Sequence, residues 1–119
     1  MMLNLIKIRA IKKYYKVLPK VLAKDYSKSD FYTSGQIKTA IKNHKLSSSY
    51  MPYALAMFVS FEDIGAVFES EYPIINGYKI RAEVADLLFA GDMHFVIKLP
   101  AKISEQGNSG IDPMPGGTQ

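Results

Sequence analysis

A chain of 119 residues, 48% hydrophobic and 22% charged, has the composition of one ordinary globular domain. It contains no cysteine, which excludes disulfide scaffolds, thiolate metal sites and cysteine nucleophiles, and only His44 and His94 are left for imidazole chemistry. The net charge of +4 joins two halves of opposite sign: residues 1–48 hold eleven Lys or Arg against Asp25 and Asp30, a balance of +9, while residues 49–119 stand at −5. Such asymmetry points either to an acidic partner for the first half or to a fold that neutralises itself.

Residues 3–18 have the periodicity of an amphipathic helix. Leu3, Ile8, Ile11, Tyr14, Tyr15, Val17 and Leu18 share one broad face, and Arg9, Lys12, Lys13 and Lys16 share the other. Pro19 removes a donor and crowds the preceding turn. The pattern nevertheless resumes in phase, with Val21 and Leu22 on the apolar side and Lys20 and Lys24 on the basic side. A kinked helix and two short helices on one stripe both fit. The Lys and Arg residues of this segment leave no apolar core for a secretory signal.

Thr33-Ser34-Gly35-Gln36 has capping-box spacing and opens a second helix to about Lys45, with Ile37, Ala40 and Ile41 inward. Pro52 suits a first helical turn. Tyr53 to Val59 is apolar all round, the mark of a buried helix, and too short to span a bilayer, which takes about 20 residues. Ser60 and Asp63 are placed to cap a short helix whose inward face is Ile64, Val67 and Phe68. A turn-rich loop, residues 71–77, leads to a helix over 78–90 with Gly91 as its C-cap. Phe95 to Leu99 reads as a short strand or as an extended segment packed on helices. Residues 104–119, rich in Gly, Pro, Ser, Asn and Gln, read as a disordered tail. The expected fold is mainly α, a small orthogonal bundle of four to five short helices over residues 1–103, with 95–99 the one place where a short strand is an alternative to an extended segment.

Chemistry-bearing patterns are sparse. No phosphate-binding loop, dinucleotide fingerprint, zincin or nucleophile-elbow motif is present, so no catalytic, cofactor or metal residue is assigned and a non-enzymatic protein is expected. A helix–turn–helix register can be laid over Gln36 and Ala40. It puts His44 at the turn, brings Leu46 one residue late and leaves Pro52 inside a recognition helix with almost no polar side chains. Arg81 stands out. On the wheel of its helix, Lys79, Glu83 and Asp86 form a narrow polar stripe, and Arg81 lies among Val84, Ala85 and Leu88. A guanidinium there must be paired, clamped by carbonyls or offered to an anion; Glu62, Asp63, Glu69 and Glu71 are the candidate partners.

The strings Tyr32-x-x-Gly35-Gln36-Ile37, Tyr50-x-Pro52-Tyr53-Ala54-x-Ala56-Met57-Phe58, Arg81-Ala82-Glu83 and Phe89-x-Gly91-Asp92 resemble a small bacterial family of unknown function over about residues 30–92. The resemblance implies a bacterial cytoplasmic protein with one compact domain. It carries no activity, ligand or site residue. The first expectation is therefore protein–protein contact, as a homodimer or with another protein, through an apolar or tyrosine-rich face; eight tyrosines and no tryptophan invite it. The alternative is nucleic-acid binding by the basic helix, through Arg9, Lys12, Lys13, Lys16, Lys20 and Lys24. The same residues could meet an anionic membrane surface. No small-molecule ligand is evident. Two structural facts discriminate: whether the apolar stripe of the first helix is buried, and whether its cations are paired with the acidic half.

Overall fold

The apolar stripe of the first helix is the seam on which the domain is built. In the computed structural model, which describes residues 5–99, helix α1 runs unbroken over Leu5–Tyr26 with Pro19 inside it. Ile11, Tyr14, Leu18, Pro19 and Leu22 are buried. The continuous stripe therefore holds the helix together where Pro19 lacks its amide. Tyr15, expected inward, is 43% exposed and sits edge-on to Phe89. Ile8, Val17 and Val21 are half-buried, and Leu3 lies outside the described residues.

Helix α2, Ser34–Asn43, begins with the expected capping box: Thr33 Oγ1 accepts from the Gln36 amide, and the Gln36 side chain accepts from the Thr33 amide. It ends two residues earlier than the sequence predicts. Lys45 adopts a left-handed φ of 57°, and the Leu46 amide turns back to the Ile41 carbonyl. Helix α3, Met51–Phe58, has Pro52 in its first turn and every residue from Tyr53 to Phe58 buried. It lies at the centre of the bundle, packed chiefly on α5, then on α2 and α1. α1 packs mainly on α2.

A 3-10 turn, Phe61–Asp63, leads into α4, Ile64–Glu71. Neither Ser60 nor Asp63 makes the side-chain cap the sequence suggested; the turn is closed by the Asp63 amide on the Ser60 carbonyl. Helix α5, Gly77–Leu88, is capped by the Asn76 side chain. It packs so tightly on α4 that a Cβ at Gly77 would stand 2.4 Å from Phe68 Cδ1 and 2.7 Å from Ile64 Cγ2. It ends at Leu88, before the expected Ala90. Ala90 and Gly91 both have positive φ, and the Gly91 amide reaches the Ala85 carbonyl.

Residues 95–99 form no strand. They lie against the helices without regular secondary structure, with Phe95 and Ile97 buried and Phe95 stacked on Phe89 at 4.2 Å between centroids. Among the described residues no strand pairs with them, and burial of Phe95 and Ile97 takes the place of a ladder. The described residues are thus a mainly helical bundle of five helices with one core. No helix among them is long and apolar enough to cross a membrane. The predicted tail, residues 104–119, lies outside the described residues.

Candidate functional site

Two sets of cations stand out from the sequence, and the structure treats them in opposite ways. Arg81 is 1% exposed. Its Nε donates to the Met93 carbonyl at 2.6 Å, Nη1 to the Ala56 carbonyl at 2.8 Å, and Nη2 to the Phe95 carbonyl. The guanidinium carbon lies 3.7 Å from the centroid of the Phe95 ring. None of the four expected carboxylates pairs with it. Burial pulls the pKa of Arg81 down from the ordinary arginine value, and Asp92 and then Glu62 support the charge only from a distance. Asp63 and Glu69 are exposed, and Glu71 is held by Ser34 and Lys38.

The clamp has a clear local cause. A helix of eight residues leaves the carbonyls of its last turn without intrahelical partners. In α3 the Phe58 carbonyl accepts from the Tyr32 amide and the Ala56 carbonyl from Arg81. The same guanidinium fork ties down the strand-like segment that had no strand to pair with. Arg81 is a structural tie between α5, α3 and residues 93–95.

On α1 the reverse holds. Arg9, Lys12, Lys13, Lys16, Lys20 and Lys24 are all exposed, and none forms an ion pair or hydrogen bond among the described residues. At 100° per residue they occupy an arc of about 120° opposite Ile11, Leu18 and Leu22, and they extend over about 22 Å of helix. Lys28, Lys42, Lys45 and Lys79 are also exposed and unpaired among the described residues, but they are scattered over other elements. The acidic half reaches α1 at Lys7, which lies on the packed side of the helix beside Ile11 and Leu18 and not on the cationic arc. Lys7 Nζ lies 3.0 Å from Glu83 Oε2 and donates to the Tyr53 hydroxyl, which itself donates to Glu83. Burial raises the Glu83 pKa, and the bonds from Tyr53 and Lys7 outweigh it, leaving that carboxyl below its usual range. Sequence reading missed this trio, whose members come from three helices.

Beside the cationic arc runs a groove of about 350 Å³, between α1 and the loop that joins α2 to α3. Ile6, Ala10, Tyr14, Leu46 and Tyr50 form its apolar walls, with Arg9, Lys13, Ser47 and Ser49 around them. The Tyr14 hydroxyl donates to the Ser47 carbonyl and takes a backbone hydrogen bond from Tyr50, which fixes the loop against the helix. A larger groove of about 560 Å³ between the start of α2 and α4 is lined by Val59, Val67, Asp63, Glu71 and serine hydroxyls. Its carboxylates make it unsuited to an anion.

The remaining candidates are placed elsewhere. His44 pairs with Asp25 and joins the ends of α2 and α1, and His94 lies against the Phe61 ring. Among the described residues no three His, Asp or Glu side chains gather as a metal site. The burial of α3 removes the would-be recognition helix of a helix–turn–helix. Only Tyr15 and Tyr78 of the eight tyrosines are exposed, and the hydroxyls of Tyr14, Tyr32 and Tyr53 are internal ties.

A model described as a family of unknown function (DUF6559) matches residues 2–118, and the chain belongs to that family. Neither a curated protein nor a solved structure matches it.

Proposed function

We propose that this member of DUF6559 is a non-enzymatic binding module that grips the phosphate backbone of nucleic acid through the outer face of α1. One observation carries the reading: six exposed cations lie on one arc of one helix, with no carboxylate of the described residues to neutralise them. A polymeric anion is the natural complement of such a row, because each phosphate neutralised releases condensed counterions. The helix presents no set of side chains for base edges, so affinity comes from the backbone and is independent of sequence. A bacterial cytoplasm, the compartment the resemblance implies, would supply that partner.

A second reading has its own observation. Leu5 and Ile6, 60% and 68% exposed, stand at the start of the same outward face. An anionic membrane could take them together with the lysines. The inward direction of the main apolar stripe argues against it, since that stripe is what an interfacial helix would bury in lipid. The protein-contact reading would need an aromatic or apolar surface, and the tyrosines do not assemble one.

Fluorescence anisotropy with a 30-nucleotide single strand, repeated across KCl concentrations, tests the reading. Engagement of all six cations gives a log–log slope of about −4. Replacing Lys12, Lys16, Lys20 and Lys24 by Gln should flatten it by about 3. Each such surface change should alter stability by no more than about 0.5 kcal/mol. Salt-insensitive binding, or unchanged binding by the fourfold variant, would refute the proposal. Adsorption to phosphatidylserine vesicles without any oligonucleotide binding would transfer the face to the membrane reading.

A further inference from the structure

We infer that the groove between α1 and the Leu46–Tyr50 loop holds an unpaired nucleobase, so that the protein prefers single-stranded to duplex nucleic acid; this rests on the phosphate-binding reading of α1. The groove and the cationic face share two residues. Arg9 and Lys13 belong to the outward arc and also line the groove, so a strand lying on α1 passes its mouth. Its volume of about 350 Å³ falls within the range that takes small organic ligands.

The walls suit a base. Ile6, Ala10 and Leu46 offer apolar contact, and the half-buried Tyr50 ring, set edge to face with Tyr53 at 6.2 Å between centroids, lines the groove as its aromatic surface. Base–aromatic stacking tolerates any sequence, as expected for a protein that grips the backbone without readout. Polar capacity is also left over. The Tyr50 and Ser49 side-chain hydroxyls donate to no acceptor and accept from no donor among the described residues. Both can meet the edge of an inserted base. The floor is firm, because the Tyr14 hydroxyl is already held by the backbone at Ser47 and Tyr50. A base in a duplex cannot enter without being unpaired and unstacked first, which costs a few kcal/mol. Discrimination against duplex follows.

Three 12-mers separate the terms: oligo-dT, a duplex of the same length, and an abasic strand with the same phosphates. The wild-type protein should bind oligo-dT about tenfold more tightly than the abasic strand. Tyr50→Ala should remove that advantage, Tyr50→Phe should keep most of it, and a double Arg9→Gln, Lys13→Gln variant should weaken binding to all three probes. Ultraviolet cross-linking of a 5-bromouracil strand to the unaltered protein should map to Tyr50 or Tyr14, a readout that needs no variant to fold. Equal binding of all three probes, with cross-links confined to other residues, overturns the inference and leaves the phosphate reading standing. Binding to none of them overturns both.

Discussion

Arg81 and the cations on the outer face of α1 carry the same charge in opposite surroundings, and the contrast shows how the fold divides its basic residues. Arg81 is enclosed, with a carbonyl on each of its three nitrogens and an aromatic ring beneath it. Its directional donors serve backbone groups that the short helix α3 and the unpaired segment 93–95 leave without partners. Arg9, Lys12, Lys13, Lys16, Lys20 and Lys24 face water, with no ion pair to a carboxylate of the described residues. Burial demands that a cation be satisfied internally, whereas exposure leaves its field available. The first set is architecture; the second is where a partner of opposite charge gains most.

The sharpest way to break this contrast is to strip the buried cation. Arg81→Met keeps an apolar stem of similar length and strands three carbonyls, each costing roughly 1–3 kcal/mol when left without a donor. A loss of about 3–5 kcal/mol is expected in urea unfolding, after water recovers part of the deficit. Arg81→Lys should recover only part of it, because one ammonium cannot reproduce a planar fork reaching three carbonyls on two segments. Unchanged stability in Arg81→Met would mean that the clamp is not what holds residues 93–95, and Arg81 would again be a candidate anion site.

The next effect tests whether the packed side of the molecule is as intolerant as its distances imply. Gly77→Ala introduces a methyl group against the rings and branches of Phe68 and Ile64 at less than 3 Å. Gly77 lies at the start of α5, so the gain in helix propensity is small and the clash decides the sign. A destabilisation of about 1–3 kcal/mol is expected. Binding to oligonucleotides by the folded fraction should not change, since α1 is untouched. A variant as stable as the parent would show that α4 yields freely, and the two regions would then differ less than their burial suggests.

Much of the fold could be read directly from residues. The Thr33–Gln36 box set the start of α2, and the uniform apolarity of Tyr53 to Val59 marked α3 as the centre of the bundle. The wheel of α1 showed a stripe that continues in phase past Pro19 but left a kinked helix and two short helices equally open; the structure has one unbroken helix there. The anomaly at Arg81 was visible on a wheel in the same way. A carbonyl clamp was among the options the sequence left open, but which carbonyls was not legible, because backbone carbonyls have no signature in sequence; the four carboxylates that could be named do not pair with it. The groove beside α1 was equally hidden. It exists only where one flank of α1 meets a loop some 35 residues later, and the bond that fixes the two, from Tyr14 to the Ser47 backbone, has no periodic pattern behind it. The ends of α2 and α5 were misplaced because Lys45 and Ala90 take positive φ, which residue type alone does not predict.

The smallest effect lies on the border between the two regions, where Lys7, Tyr53 and Glu83 join the cationic helix to the acidic half. Glu83 and Glu71 both titrate below the usual carboxylate range in the folded chain. For Glu71 the cause is Lys38 first and then Ser34; for Glu83, burial works the other way and is outweighed by Tyr53 and Lys7. A carboxyl held below its unfolded value stabilises the fold fully above about pH 4.3, and the contribution disappears as pH falls through the folded value. Stability should therefore decline as acid is added from about pH 4.5 downward. Glu83 is 48% exposed, so its share is screened and amounts to a few tenths of a kcal/mol. The alkaline arm has the opposite sign. Burial raises the pKa of Tyr14 and Tyr53, so their contribution is complete below about pH 10 and is lost as pH rises through the folded values. Urea midpoints measured from pH 3 to pH 11 should trace a dome, and Glu83→Gln should flatten its acid side while leaving most of the alkaline side, which Tyr14 sustains. An acid limb as steep in Glu83→Gln as in the parent would show that the trio adds nothing to folding.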